Sequence, residues 1–145
     1  MDERTAPQAP GALPFVIERN ANPVALAERN RLLANPGFGR VFTDHMVMIR
    51  YNEAQGWHDA KVMPRGPLSI DPATAVLHYA QEIFEGLKAY RLADGSMALF
   101  RPEANARRFS DSARRLAMAE LPEELFIESL RQIVAIDRDW FPDIE

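Results

Sequence analysis

The sequence predicts an α+β domain, an antiparallel sheet with helices packed on it, and three features carry that expectation. Two pairs of strand-like runs are each joined by a glycine-bearing turn, Asn52 to Gly56 in one and Asp94-Gly95 in the other. Two helix-like stretches then follow one another, each opened by a proline, Pro102 and Pro122. The order strand, strand, short helix, strand, strand, helix, helix joins neighbouring strands by hairpins rather than by helical crossovers. A length of 145 residues suits one domain with a core of its own.

Residues 1–14 contain Pro7, Pro10 and Pro14 among small and polar residues and read as a flexible arm, with the domain proper running over 15–145. Phe15, Val16 and Ile17 suggest a short edge strand. Pro23 followed by VALAERNRLL predicts about two helical turns with Pro23 near the first position, and Asn35-Pro36-Gly37 ends them. Val41 to Tyr51 is apolar and free of glycine and proline, so it reads as a strand, and GWHDAKVM is its returning partner. Pro64-Arg65-Gly66-Pro67 breaks the chain. Asp71 as cap and Pro72 at the first position predict a short helix in DPATAVLHYA. Gly86 interrupts the next segment, and LKAYR and MALFR form the second hairpin around Asp94-Gly95. In the helix after Pro102, Phe109, Ala113 and Leu116 fall on one face. In the next, Glu123 and Glu124 sit where the helix dipole favours negative charge. Phe126, Leu130, Ile133 and Val134 form its apolar side, and the proline of DWFPDIE stops it.

Composition narrows the function. Hydrophobic residues at 47% against 26% charged describe a soluble globular chain rather than a disordered one. A formal charge of -4 supplies no long-range attraction for nucleic acid or anionic lipid, so neither partner is expected. The absence of cysteine excludes disulfides, thiolate nucleophiles and cysteine-bound metals. No apolar run has the length of a membrane span. The segment MDERTAPQAPGALPF begins acidic and lacks the apolar centre of a secretory signal, so the cytoplasm is the expected location.

Few residues carry chemistry on their own. His45, His58 and His78 match no compact metal-binding spacing, and no metal is expected. There is no GxSxG elbow, no GxGxxG and no GxxxxGK[ST] loop. Glu82 and Glu85 would make an acid/base pair only in a cleft that nothing in the sequence defines. Arg101, Arg107, Arg108, Arg114 and Arg115 cluster in and around one helix, which suits a solvated basic surface. At about 100° per residue, Arg107 falls almost opposite the Phe109 face and Arg108 on its flank. An arginine there can lay its stem on the core and offer its fork to a phosphate or carboxylate. Tyr79 and Phe84 are either two core rings or the wall of a pocket, with Gly86 allowing a close approach or a tight bend.

Several of these segments, in this order, resemble the branched-chain aminotransferase family, the fold-type IV class of pyridoxal-phosphate enzymes. FGRVFTDHMVMIRY at 38–51 looks like the family's FG-x-VFTDHM opening, and LSIDPATAVLHYAQEIFEGLKAYR at 68–91 is similar to its central signature. DGSMALFRPEANARRFSDSARRL at 94–116 and EELFIESLRQIVAIDRDWFP at 123–142 resemble its next hairpin and helices. The resemblance implies the small N-terminal domain of that fold. It implies that Arg108, in the N-x-x-R pattern after Asn105, holds the phosphate of pyridoxal 5′-phosphate. It implies that Tyr79 and Phe84 line the substrate side-chain pocket, with Phe38 as a third ring, although Phe42 lies close by in the same motif.

The reaction implied is transamination of leucine, isoleucine or valine with 2-oxoglutarate, by a cytoplasmic homodimer acting in branched-chain amino acid biosynthesis. The family's Schiff-base lysine belongs to a second, C-terminal domain. The chain's two lysines, Lys61 and Lys88, do not match it, so no catalytic residue is expected here and the 145-residue chain is expected to be inactive alone. Cofactor affinity from this part alone should be weak or nil. Two alternatives stand beside this reading. One is a related fold-type IV enzyme, a D-amino acid aminotransferase or an aminodeoxychorismate lyase. The other is a partner- or ligand-binding module derived from such a domain.

Overall fold

A computed structural model describes residues 13–141. In chain order the elements are β1 (Val16–Ile17), α1 (Leu26–Leu33), β2 (His45–Asn52), β3 (Gly56–Pro64), α2 (Ala75–Tyr79), β4 (Ala89–Arg91), β5 (Met97–Leu99), α3 (Pro102–Arg115) and α4 (Glu123–Ile136), closed by a 3-10 turn at Arg138–Trp140. The α+β class is as the pattern of hairpins and helices predicts. The arm expected over 1–14 lies, except for Leu13 and Pro14, outside the described residues, as does the stop at Pro142.

β2 and β3 pair antiparallel across the expected turn, where Asn52 Oδ1 accepts the Gln55 N–H at 2.8 Å and Gly56 takes a positive φ of 66°. The ladder slips once. Met48 faces Lys61 but Arg50 faces His58, so β3 carries one extra residue there, and Asp59 absorbs it with a φ of 52°. Beyond the bulge, Ala60 and Val62 turn inward and are buried. β1 sits on the other edge of β3 and runs parallel to it, Val16 opposite Lys61 and Ile17 opposite Val62. The sheet is therefore mixed rather than wholly antiparallel. The long excursion through α1 between β1 and β2 lets the edge strand enter in the same direction as β3. β4 and β5 form a separate two-stranded antiparallel hairpin.

A buried polar knot ties distant segments together. Asp44 Oδ1 accepts the Val24 N–H at 2.9 Å, and its Oδ2 accepts Trp140 Nε1–H at 2.8 Å. Ala25, with a ψ of 145°, is still extended, so α1 begins at Leu26 and not near Pro23. β2 starts at His45 rather than Val41, although the Asp44 carbonyl still accepts the Arg65 N–H at 3.0 Å. His45 then accepts the Asn20 N–H on Nε2 at 2.9 Å and meets Asp137 Oδ1 through Nδ1 at 2.6 Å. A backbone N–H can only donate, so Nε2 is bare and the ring is the neutral tautomer with its proton on Nδ1. The second Asp137 oxygen accepts the His45 N–H at 3.0 Å. Asp44, His45, Asp137 and Trp140 are all buried, and together they tie the segment from Asn20 to Val24, β2 and the end of α4.

The helices show where local signals stop short. Asp71 spends its side chain on the Ala73 N–H at 2.7 Å, and the Thr74 hydroxyl donates to the Asp71 carbonyl at 2.6 Å. This local turn delays α2 to Ala75. Pro102 opens α3 at its first position as expected. The buried residues of α3 are Ala106 and Ala113, and the Phe109 ring leans on Phe126 of α4 with centroids 5.4 Å apart. Leu116 falls past the last turn and is exposed, not part of the buried face. Ala117, at a φ of 52°, ends the helix: the Met118 N–H reaches the Ala113 carbonyl at 2.9 Å and the Ala117 N–H the Arg114 carbonyl at 3.2 Å.

Candidate functional site

Asn105 and Arg108, three apart, lie one above the other on α3. Residues 80–88, which come after α2 without regular structure, run past them. Glu85 in that stretch meets both. Arg108 donates from Nε to Glu85 Oε2 at 2.7 Å and from Nη2 to Oε1, a bidentate pair. Asn105 Nδ2 donates to Glu85 Oε1 at 2.9 Å and to the Gly86 carbonyl at 3.2 Å. Further back, Gln81 Nε2 donates to the Leu116 carbonyl at 2.8 Å. The segment is thus strapped to α3 near both of its ends.

The two partners differ in exposure. The Glu85 side chain is 5% exposed and the Arg108 side chain 64%. The Arg108 guanidinium holds the Glu85 carboxyl below the usual carboxylate range against the opposing effect of burial, with Asn105 adding to the lowering. Arg108 is in turn raised further above its already high value, chiefly by its hydrogen bond to Glu85. Because Glu85 takes Nε and Nη2, Nη1 remains for a ligand on an open face of α3. That donor edge fits one anionic group, a phosphate or a carboxylate.

Tyr79 and Phe84 are not core rings: they are 85% and 89% exposed. Tyr79 is the last residue of α2, and Ala80 just after it takes the left-handed conformation at a φ of 49°. The tight bend therefore falls at Ala80. Gly86 instead lies beside the Phe84 ring, where an added Cβ would sit 3.5 Å from Cε1. Phe38, between two glycines at positive φ, is 98% exposed. The neighbouring Phe42 ring is covered by the Arg65 guanidinium at 4.0 Å. The structure brings Phe84 and Arg108 together through Glu85. Among the described residues, no hydrogen bond or ring contact ties Phe38 to that cluster.

Other sequence candidates find ordinary places. Glu82 and Glu85 do not form a pair, since Glu85 is committed to Arg108. Arg107 pairs with Glu123 at 3.6 Å and Arg114 with Glu120 at 2.6 Å, so these two arginines serve the helix surface. His78 Nε2 lies 2.7 Å from the Pro72 carbonyl, and His58 Nδ1 lies 2.9 Å from the Gly56 carbonyl. Among the described residues no group of three His, Asp or Glu could hold a metal ion, and no described helix is long and apolar enough to cross a membrane. Sequence reasoning weighs Glu85 only as half of an acid/base pair and Asn105 only as part of a motif, and gives neither its place in the Arg108 cluster. The available signal was the three-residue spacing of two polar side chains on α3 and a carboxylate beside Phe84, but it has no direction until residues 80–88 are placed against the helix.

Comparison with known proteins adds kinship. No family model matches the chain. It is 61% identical over 132 residues to a branched-chain-amino-acid aminotransferase of Mycolicibacterium smegmatis, covering 91% of this chain and 36% of that protein. A probable branched-chain-amino-acid aminotransferase of Streptomyces coelicolor is 60% identical over 126 residues, 87% of this chain and 35% of the relative. The branched-chain-amino-acid transaminase 1 of Bacillus subtilis is 48% identical over 106 residues, 73% of this chain and 30% of the relative. The chain thus spans about a third of the length of the curated relatives it matches.

Proposed function

The chain belongs to the branched-chain-amino-acid aminotransferase family, and from that membership we propose that the protein carrying it transfers the amino group of leucine, isoleucine or valine to 2-oxoglutarate. The observation that carries this reading is the 61% identity sustained over 132 residues. Residues 15–145 serve as the N-terminal domain of a two-domain enzyme, which works as a cytoplasmic homodimer. Pyridoxal 5′-phosphate is the cofactor, and when bound it supplies the electron sink for the chemistry at the amino acid's Cα.

This chain's residues bind and orient. Arg108 holds the phosphate group with its remaining donor edge, and Glu85 and Asn105 keep that edge in place. Tyr79, Phe84 and Phe38 supply apolar wall for an aliphatic side chain, which favours leucine or valine over polar amino acids by up to a few kcal/mol, on the order of one buried side chain. Their exposure supports the reading, since walls of a shared pocket are left open until another surface faces them. The proton-shuttling lysine lies outside this chain. Neither Lys61, which meets Glu18 and Asp59 at 3.6 and 3.3 Å, nor Lys88 matches the family's Schiff-base lysine. The 145-residue chain is therefore inactive by itself.

The test is glutamate formation from leucine and 2-oxoglutarate, with pyridoxal phosphate present. A polypeptide of the relatives' full length that contains this sequence should be active, and the 145-residue chain should not. In the longer protein Arg108→Ala should weaken cofactor binding at least about tenfold, the scale of a lost hydrogen bond to a charged group. No glutamate from the longer protein with any branched-chain amino acid would overturn the proposal. The same three exposed rings would then favour a surface for an apolar partner.

A further inference from the structure

We propose that Glu85 is the positioning residue for the cofactor phosphate: it clamps Arg108 from below and joins the Phe84 wall to the arginine through one peptide bond. This rests on the reading of Arg108 given above and adds to it a residue that never touches the ligand. Burial decides which partner is fixed. The Glu85 carboxylate, with 5% of its side chain exposed, is covered by Arg108 and Asn105, whereas the guanidinium is mostly open. Glu85 is therefore the anchor and Arg108 the presented group. Its two oxygens take the Nε and Nη2 side of the fork, which fixes the guanidinium plane and leaves Nη1 for the incoming anion.

The anchor is itself anchored. Asn105 Nδ2 bridges the Glu85 carboxylate and the Gly86 carbonyl, and Gln81 fastens the start of the segment to the end of α3. Phe84 precedes Glu85 directly, and its exposed ring lies beside Gly86. A phosphate at Arg108 meets two opposed effects. A pinned guanidinium loses little rotamer freedom when it binds, which favours capture. The Glu85 charge repels the phosphate, which disfavours it. If the clamp dominates, removing Glu85 weakens phosphate binding; if repulsion dominates, removal tightens it.

The experiment measures dissociation constants of pyridoxal phosphate and of phosphate-free pyridoxal in the full-length protein. The variants are Glu85→Gln, Glu85→Ala, Arg108→Ala and the double Glu85→Ala/Arg108→Ala, each with a thermal melt. The expected result is that Glu85→Ala weakens pyridoxal phosphate roughly tenfold while pyridoxal is unchanged, the size expected for one charge-assisted hydrogen bond. Glu85→Gln, which keeps one acceptor oxygen and guards against misfolding of the alanine variant, should fall between. The double variant should bind no worse than Arg108→Ala alone, because Glu85 acts through that arginine. Unchanged or tighter pyridoxal phosphate binding in both Glu85 variants overturns the clamp, and so does an equal loss for both ligands, which marks a merely structural role. If Arg108→Ala leaves pyridoxal phosphate binding intact, the phosphate reading of Arg108 falls first and the clamp with it. An effect of Arg108→Ala without one of Glu85→Ala removes the clamp alone.

Discussion

Two acidic side chains of this chain do their work by hydrogen-bond direction as much as by charge. Glu85 accepts from Arg108 and Asn105 at an open surface of α3; Asp137 accepts from the backbone and ring of His45 in the interior. Neither role was legible from sequence, because each depends on a partner 20 or more positions away. The separation of Arg108 from Arg107 was legible, since helix geometry alone sets it. The Asp137 arrangement gives a sharp expectation for Asp137→Asn. The amide can accept the His45 N–H, but its other end donates, so His45 Nδ1 would have to accept and its proton would move to Nε2. There it meets the Asn20 N–H, which also donates. One buried donor is stranded whichever way the amide is turned, at a cost of roughly 1–3 kcal/mol. Urea unfolding should show that loss with the pyridoxal phosphate affinity of the complete protein unchanged. A midpoint equal to that of the unsubstituted protein would mean that His45 is not the Nδ1–H tautomer.

Hairpins and the two long helices were legible as elements, because their turn residues and apolar spacing act within a few positions. Their edges were not. Pro23 is a good first residue for a helix, yet Ala25 is still extended at a ψ of 145°, and α1 starts later. Asp71 is a good cap, yet it closes its own turn first. The C-terminus of α3 shows a departure of another kind. Ala117 occupies the left-handed position where glycine is usual. A side chain in that conformation costs about 1 kcal/mol. Glycine relieves this but is freer in the unfolded chain, which offsets part of the gain. Ala117→Gly should therefore stabilise by roughly 0.5 kcal/mol, read from the denaturation midpoint. Ala106→Gly, inside the same helix and buried, should instead lose about 1 kcal/mol or more. A loss at both positions would mean that the left-handed end of α3 does not hold in solution.

Across the whole molecule, apolar character and burial part company. Periodicity tells which residues are apolar, not what covers them, and that is why Tyr79 and Phe84 could be read as core or wall. Their exposure, with that of Leu68, Leu77 and Phe100, places much of the large apolar surface in the segments next to α2 and the β4–β5 hairpin in the chain. Covering one such ring fully is worth about 1.5–3 kcal/mol, so several together are a strong drive to associate. The 145-residue chain alone should therefore self-associate with rising concentration, as read by sedimentation velocity, and should bind an apolar dye. Replacing Phe38, Tyr79 and Phe84 together by serine should reduce both signals. It should leave the melting temperature nearly unchanged, because side chains that lie mostly in solvent contribute little to the fold. A drop in melting temperature comparable to that of a core substitution would show the rings packed within the chain, and they would then be poor candidates for a pocket wall. Monomers that ignore the dye, before and after substitution, would mean that the rings find cover locally. Association that vanishes with the triple substitution while the fold persists would identify these rings as a face made to be met by another surface, which is what a pocket shared with the rest of a larger enzyme requires.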